Sequence, residues 1–410
     1  MAPQIQFSEA TSGITEVPGF KVGAAACDIR KKDNLERLDV AVIVSDKPCT
    51  AAGTFTTNDL RAAPVLLCME HLNARETHHA IVINSGNANA CTGEQGKVDA
   101  DAMAGQLARL TGLFKEEVFV CSTGRIGELL PMDRVAQGIS GAVGNLSTQA
   151  SEGTRVATAI LTSDTRPKVA TATFEVGSKQ ITISGIAKGA GMIEPNMATM
   201  LAFVVTDADC LKGLLGELLQ QAVGASFNRI TVDGDMSTND TVLLLANGVS
   251  GVVISKDDAA VYEAFKAALT QVCLSLAKKI VGDGERITKV VQLTVKGAAT
   301  QEAAEKAARA VANSLLVKSS WFGSDPNWGR LAHAVGYAKI GLQESKLDIY
   351  YDDVPALLAG KPQSELKPQW KAIVARKEFS ITINLNLGEY EATLYSTDLS
   401  TGYVDFNKSE

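Results

Sequence analysis

One stretch of the chain combines residue types and spacing that could do covalent chemistry: Lys188-Gly-Ala-Gly-Met-Ile-Glu-Pro-Asn-Met-Ala-Thr199-Met-Leu-Ala-Phe-Val-Val205. A Gly- and Met-rich loop with a single acid, Glu194, runs into Thr199, and an apolar run from Met200 to Val205 follows at once. That run reads as a buried strand, and a hydroxyl at a strand mouth has its backbone fixed by the sheet. Cleavage of the Ala198–Thr199 bond would leave the hydroxyl beside its own α-amino group. Such an amine has an ordinary pKa of about 7.7–8.0 and can act as a base near neutral pH. Threonine paired with an N-terminal amine is one way to activate a weak hydroxyl nucleophile. Gly189 and Gly191 allow close backbone approach, and Pro195 restricts Glu194 to extended geometry, so the loop is shaped to be strained or accessible. The plainer alternative is a threonine that simply begins a strand, as its β-propensity allows.

Other small, polar loops follow apolar runs, where sites tend to be assembled. Ser122-Thr123-Gly124 offers a hydroxyl next to a backbone N–H, which suits an oxyanion site or, equally, a simple turn. Asn84–Gly93, Leu161–Thr165, Thr231–Asp240, Gly282–Glu285 and Asp325–Gly329 are of the same kind. Asp233, Asp235 and Asp240 lack the order and the closing Glu of a calcium loop. No nucleotide fingerprint has the required spacing: Gly138–Gly144 and Gly93–Lys97 read as caps and turns. His71, His78 and His79 cluster near one strand with His333 far away, a poor set for zinc, and His78 and His79 read as strand caps. No metal and no cofactor is implied.

These loops need elements to hold them. Apolar runs predict strands at 38–45, 79–85, 117–122, 169–176, 180–186, 200–206, 241–246, 287–295, 347–352, 378–385 and 391–395, the last pairs as hairpins. Val176-Gly-Ser-Lys179 reads as a two-residue hairpin turn. Helical periodicity appears at 98–110, 132–142, 152–161, 211–223, 258–281 and 301–315. Blocks of both kinds predict a layered α/β fold with mixed or antiparallel sheets. The polar stretch 352–377 reads as a surface connection. A length of 410 residues predicts two lobes. A net charge of −7, with 46% hydrophobic residues, leaves no basic footprint for nucleic acid. The apolar runs fall short of a membrane span. Seven scattered cysteines without C-x-x-C fit a reducing compartment, and with no secretory signal visible the expectation is cytoplasmic.

Taken together and in order, the motifs resemble the ornithine acetyltransferase (glutamate N-acetyltransferase) family of arginine biosynthesis. They are Asn84-Ser-Gly-Asn-Ala-Asn-Ala, Ser122-Thr-Gly, Thr162-Ser-Asp-Thr, the Lys188–Phe203 block, Ser226-Phe-Asn-Arg-Ile-Thr-Val-Asp-Gly-Asp, Ser237-Thr-Asn-Asp-Thr, Asp283-Gly-Glu and Asp325-Pro-Asn-Trp-Gly-Arg330. The resemblance implies an α/β layered fold reminiscent of, but distinct from, N-terminal-nucleophile hydrolases. It implies self-cleavage at Ala198/Thr199 into an α chain, 1–198, and a β chain, 199–410, forming two intertwined lobes and pairing as an α2β2 heterotetramer. Thr199 would take the acetyl group of N2-acetyl-L-ornithine and pass it to L-glutamate, and some members also use acetyl-CoA. Thr123 and Gly124 match the oxyanion donors, and Thr162, Lys188, Thr199, Glu285 and Asn407 match substrate-contacting positions.

Three departures from the family pattern stand out. Arg286 follows Glu285 where a Gly is usual, Arg125 follows the oxyanion pair where a small or apolar residue is usual, and a terminal Thr beyond Asn407 is missing. Two added arginines would favour a more acidic donor or acceptor. The nearest rival reading is an N-terminal-nucleophile amidase or aminopeptidase that passes the acyl group to water.

Overall fold

The computed structural model describes residues 3–194 and 200–408, so Ala198 and Thr199 lie outside the described residues. The chain forms two compact units, both discontinuous in sequence. One comprises residues 1–189, 195–228 and 236–280; the other comprises 190–194, 229–235 and 281–410.

The first unit is built on a nine-stranded mixed sheet. Its order runs Gln6–Ser8, Lys168–Val176, Lys179–Lys188, Leu201–Thr206, Thr241–Ala246, Val40–Phe55, His78–Asn87, Val118–Arg125, and Phe20–Ala25 also pairs with Val40–Phe55. Continuous apolar runs mark strands buried on both faces, and the side-chain period of two divides them. Ala41, Ile43, Ile81, Ile83 and Phe203 point to one core with Val156 and Ile160. Val40, Val42 and Val82 point to another, with Met103 and Leu107 from Gly93–Thr111 and Val135 and Ile139 from Met132–Gly144. The hairpin at Gly177 forms with Val176 opposite Lys179, and Gly177 supplies its positive φ of 61°.

Lys179–Lys188 runs antiparallel to Leu201–Thr206, and Leu201–Thr206 runs parallel to Thr241–Ala246. The register puts Lys188, Leu201, Thr241 and Phe55 in one row across four strands. A lysine, the strand after residue 199 and the end of the Thr231–Asp240 loop therefore share one end of the sheet.

The second unit has a six-stranded sheet, ordered Lys361–Pro362, Val354–Leu358, Asp348–Tyr351, Glu378–Asn384, Val290–Ala298, Tyr390–Thr397. Val291, Leu293 and Val295 alternate inward to a core with Trp321, Val335, Trp370 and Ile381. Two expectations are corrected here. The last two strands are not a hairpin: Val290–Ala298 lies between them, parallel to one and antiparallel to the other. Nor is 352–377 a mere surface connection. It contains the strand Val354–Leu358 and the helix Lys367–Val374, whose Trp370 and Val374 reach the core. The 301–315 periodicity resolves into Gln301–Ala312 and Leu315–Phe322 because Ser314 caps the second helix, its Oγ accepting from Val317 N. Among the described residues no helix is long and apolar enough to cross a membrane.

Leu293 is fully buried in the second core, so Leu293→Ala should destabilise this unit by about 2–5 kcal/mol. Urea unfolding checks this, and a loss under about 1 kcal/mol would place Leu293 outside a packed core.

Candidate active site

The Lys188 end of the first unit is organised by a carboxylate. The Asp164 side chain has no solvent exposure; its Oδ1 accepts from Lys168 Nζ at 2.7 Å, and Lys188 Nζ stands 4.0 Å from Oδ2. Gly189 N donates to Oδ1 at 2.6 Å and Thr162 N to Oδ2 at 3.0 Å. Burial alone would push this carboxyl up, but Lys188, Lys168 and the Gly189 amide outweigh it and hold it below the usual carboxylate range. Asp164 thus joins two of the expected substrate contacts, Thr162 and Lys188. The Thr162 loop is tied further by Arg37, which donates to Leu161 O and to Ser85 Oγ. Burial and the neighbouring Arg30 push the Arg37 guanidinium down to about 10.

Thr123 and Gly124 sit at the end of the Val118–Arg125 strand, paired in parallel with His78–Asn87. Gly124 has φ 132°, and a Cβ there would lie 2.3 Å from the Gly86 carbonyl carbon, so only glycine lets the two backbones approach. The Asn84–Gly93 loop locks this turn. Ser122 Oγ donates to Asn84 Oδ1 at 2.6 Å, Ala88 N to Arg125 O at 2.8 Å, and Gly127 N to Ala90 O at 2.9 Å. Thr123 is buried and Gly124 exposed at the end of this strand, the two positions expected to serve an oxyanion.

The residues 237–241 form a third wall of the same unit. Asn239 Nδ2 donates to Ala88 O at 2.6 Å and to Ser122 O at 2.9 Å, joining this loop to the oxyanion turn. Ala62 N donates to Thr238 O, Thr56 N to Asp240 O and Thr241 N to Met200 O. The Asp240 carboxyl is buried, and burial pushes it well above the usual range although the Met200 N–H and Lys188 act in the opposite sense.

In the second unit Glu285 stands against Gly191, where a Cβ would fall 2.4 Å from the carboxyl carbon. Asn407 Nδ2 donates to Glu285 Oε2 at 3.4 Å, bringing these two expected contacts together. The segment 192–194 is pinned there. Asp233 accepts from the Met192 and Ile193 amides at 2.6 and 2.7 Å, and Glu194 meets Arg309 at 2.8 Å and Asn313 at 2.7 Å. Nearby Lys318 is fully buried; burial lowers it to about 8 against the pull of Asp233, Asp398 and Glu194.

The two unusual arginines are both exposed. Arg286 lies over the Phe406 ring, 5.1 Å from its centroid, and its carbonyl accepts from Ser400 Oγ, which fastens the Thr401–Phe406 helix to the Glu285 turn. Arg125 faces Glu128 at 3.6 Å on the surface. His78 is a core residue, with Nε2 on His71 O and its ring 4.4 Å from that of Phe119, and burial lowers it to about 4. Asp233 serves the chain's own amides, and Asn239, which the sequence reading named within the Ser237–Thr241 motif without giving it a role, ties that loop to the Ser122-Thr-Gly turn.

The molecule is thus a mixed-sheet α/β protein with a glycine-tight turn at Thr123-Gly124 and a buried lysine pair at one sheet end. Residues 21–409 match the ArgJ family, and the chain belongs to it. It is 46% identical to the arginine biosynthesis bifunctional protein ArgJ of Geobacter sulfurreducens, over 95% of this chain and 98% of that one. It is 47% identical to the protein of the same name from Symbiobacterium thermophilum, over 97% and 98%. It is 43% identical to the glutamate N-acetyltransferase of Methanocaldococcus jannaschii, over 96% and 97%. As a member of that family it is an acyltransferase of arginine biosynthesis.

Removing the Asp164 charge takes away the carboxylate that both Lys168 and Lys188 approach. Asp164→Asn should cost about 3–5 kcal/mol at neutral pH. The native carboxyl titrates below its unfolded value, so its contribution is complete above the ordinary carboxylate pKa and is lost only as pH falls through the lower native one. Unfolding midpoints of the two proteins should differ by a constant amount from pH 7 to pH 5 and draw together only as pH falls below the ordinary carboxylate value of about 3.9. A difference that vanished by pH 5 would contradict this.

Proposed function

We propose that the chain transfers the acetyl group of N2-acetyl-L-ornithine to L-glutamate through an acetyl ester on Thr199, after cleaving itself between Ala198 and Thr199. The observation that carries the reading is the row joining Lys188 to Leu201, two residues beyond Thr199, on strands whose end also bears the Asp164 carboxylate. Lys188 stands in the row beside the strand that follows Thr199, where its ammonium would receive the carboxylate that both substrates carry.

The steps follow from the groups present. Thr199 Oγ adds to the acetyl carbonyl carbon while its proton passes to the α-amine of the same residue, and the carbonyl pair becomes an oxyanion facing Thr123 Oγ and Gly124 N–H. Collapse breaks the amide C–N bond, the leaving amine takes the proton back, and ornithine departs. Glutamate's amine then attacks the ester and restores the hydroxyl. Thr162 and Lys188 take the amino-acid end, and Glu285, supported by Asn407, takes the ornithine side-chain ammonium. Acetyl-CoA as a second donor enters the same cycle. The cleaved chains, 1–198 and 199–410, stay associated as an α2β2 assembly in the cytoplasm.

Intact-mass measurement should give two fragments divided at Ala198/Thr199, and Thr199→Ala one inactive chain. A single uncleaved chain with full activity would overturn the reading. Acetylornithine supplied with and without glutamate distinguishes a transferase from an amidase, since the latter releases acetate without acceptor. A panel of acetyl donors, acetyl-CoA included, reads the donor range.

A further inference from the structure

Arg30 is a cation beside Thr162 in the first unit that the cycle above leaves without a task. It lies on the stretch between Phe20–Ala25 and Val40–Phe55, and carboxylates fix the backbone on either side of it. Ile29 N donates to Asp39 Oδ2 at 2.8 Å and Lys32 N to Asp28 Oδ1 at 2.9 Å. The Arg30 side chain is laid against Gly86, the glycine that Gly124 approaches. A Cβ at Gly86 would fall 2.9 Å from Arg30 Cγ and 3.4 Å from Nε, so the arginine takes the space of a side chain there. Its Nη2 donates to Thr162 O at 3.3 Å. The guanidinium therefore spans from Gly86 to the Thr162 loop. Arg37 braces that loop through Leu161 O and Ser85 Oγ. Its Nη1 is buried 4.0 Å from Asp39 Oδ2, with no hydrogen-bond partner among the described residues. Repulsion from Arg30 acts on Arg37 more strongly than the attraction of Asp39. Two like charges held together in a partly buried place favour an anion beside them.

We propose that Arg30 determines acceptor specificity by receiving the side-chain carboxylate of L-glutamate, which makes the Thr162 end of the first unit a site for a dicarboxylate. This rests on the reading of the reaction as acetyl transfer to that amino acid. Thr162 links two cations. Its N–H and the Lys188 ammonium meet the same oxygen of Asp164, at 3.0 and 4.0 Å, while its carbonyl accepts from Arg30. A dicarboxylate needs a cation for each end. Lys188 takes the carboxylate that donor and acceptor share, and Arg30 takes the one that ornithine lacks. The planar fork of a guanidinium matches a carboxylate through two parallel N–H···O bonds, which an ammonium cannot reproduce. Ornithine carries an ammonium in place of that carboxylate and gains nothing from Arg30.

The test is Arg30→Gln, which keeps a donor for Thr162 O and removes the charge. Calorimetric titration with L-glutamate and with L-ornithine needs no acetyl transfer and reads binding alone. The Kd for L-glutamate should rise about tenfold or more, with that for L-ornithine little changed and Arg30→Lys lying between wild type and Arg30→Gln. Steady-state kinetics should divide in the same way, with KM raised for L-glutamate and kept for acetylornithine. Equal losses for both amino acids, no loss for either, or a wild-type protein that binds no L-glutamate would overturn the proposal. Should Arg30→Gln fail to fold, phenylglyoxal modification of the wild-type protein, mapped by peptide mass spectrometry, decides. L-Glutamate should slow modification of Arg30 and L-ornithine should not. Equal rates under the two ligands, or no reaction at Arg30, contradict the assignment. If the wild-type protein binds L-glutamate through Arg30 but passes no acetyl group to it, it is the proposed reaction that fails, and the two failures are distinct.

Discussion

The Asp164 carboxylate, buried between Lys168 and Lys188, is the interaction on which the candidate site depends. Two ammonium groups cannot share the buried end of a sheet without an anion to hold them, and Asp164 supplies that anion while accepting from the amides of Thr162 and Gly189. One carboxylate thereby sets the Thr162 loop, the end of the Lys179–Lys188 strand and the start of the Gly189 loop. The sheet does the rest: because Lys188 pairs with Leu201 and Leu201 with Thr241, a lysine, a strand mouth and the 237–241 loop are fixed relative to one another by backbone hydrogen bonds.

A second constraint is close backbone approach. Gly124 faces Gly86 where no side chain fits, and Gly191 faces Glu285 in the same way. The oxyanion turn is held from behind by Asn84, Asn87 and Asn239, whose side-chain amides bond backbone carbonyls. Polar side chains do this work in a buried region because each is satisfied.

Much of this was legible in the sequence, and the exceptions have physical causes. Runs such as 80–83 and 201–205 are apolar on both faces, so their strands were evident, and the Gly-Ser turn at 177–178 was unambiguous. Val40–Phe55 extends ten residues past the expected end at Ser45 because Asp46, Lys47 and Pro48 interrupt the apolar pattern at an exposed irregularity in the pairing. The helix Ala63–Ala74 was missed because its apolar residues are not confined to one face. The order of the last three strands of the second unit depends on pairings that link residues about a hundred positions apart, and no local signal carries that. At the site, Ser122-Thr-Gly and Lys188 announced themselves by residue type. Asn239 and Asp240 stood out only as members of a motif, and their partners, Ala88, Ser122 and Met200, become neighbours only through sheet register. Arg286 lies over the Phe406 ring, a contact that no local pattern signals.

The most direct test is to trap the covalent intermediate. The purified protein would be mixed with acetyl-labelled N2-acetylornithine without acceptor, quenched in acid and mapped by peptide mass spectrometry. The account predicts the label as an ester on the peptide that begins at Thr199, discharged when L-glutamate is added before the quench. Label on any other side chain, or no label under conditions of full turnover, would contradict it.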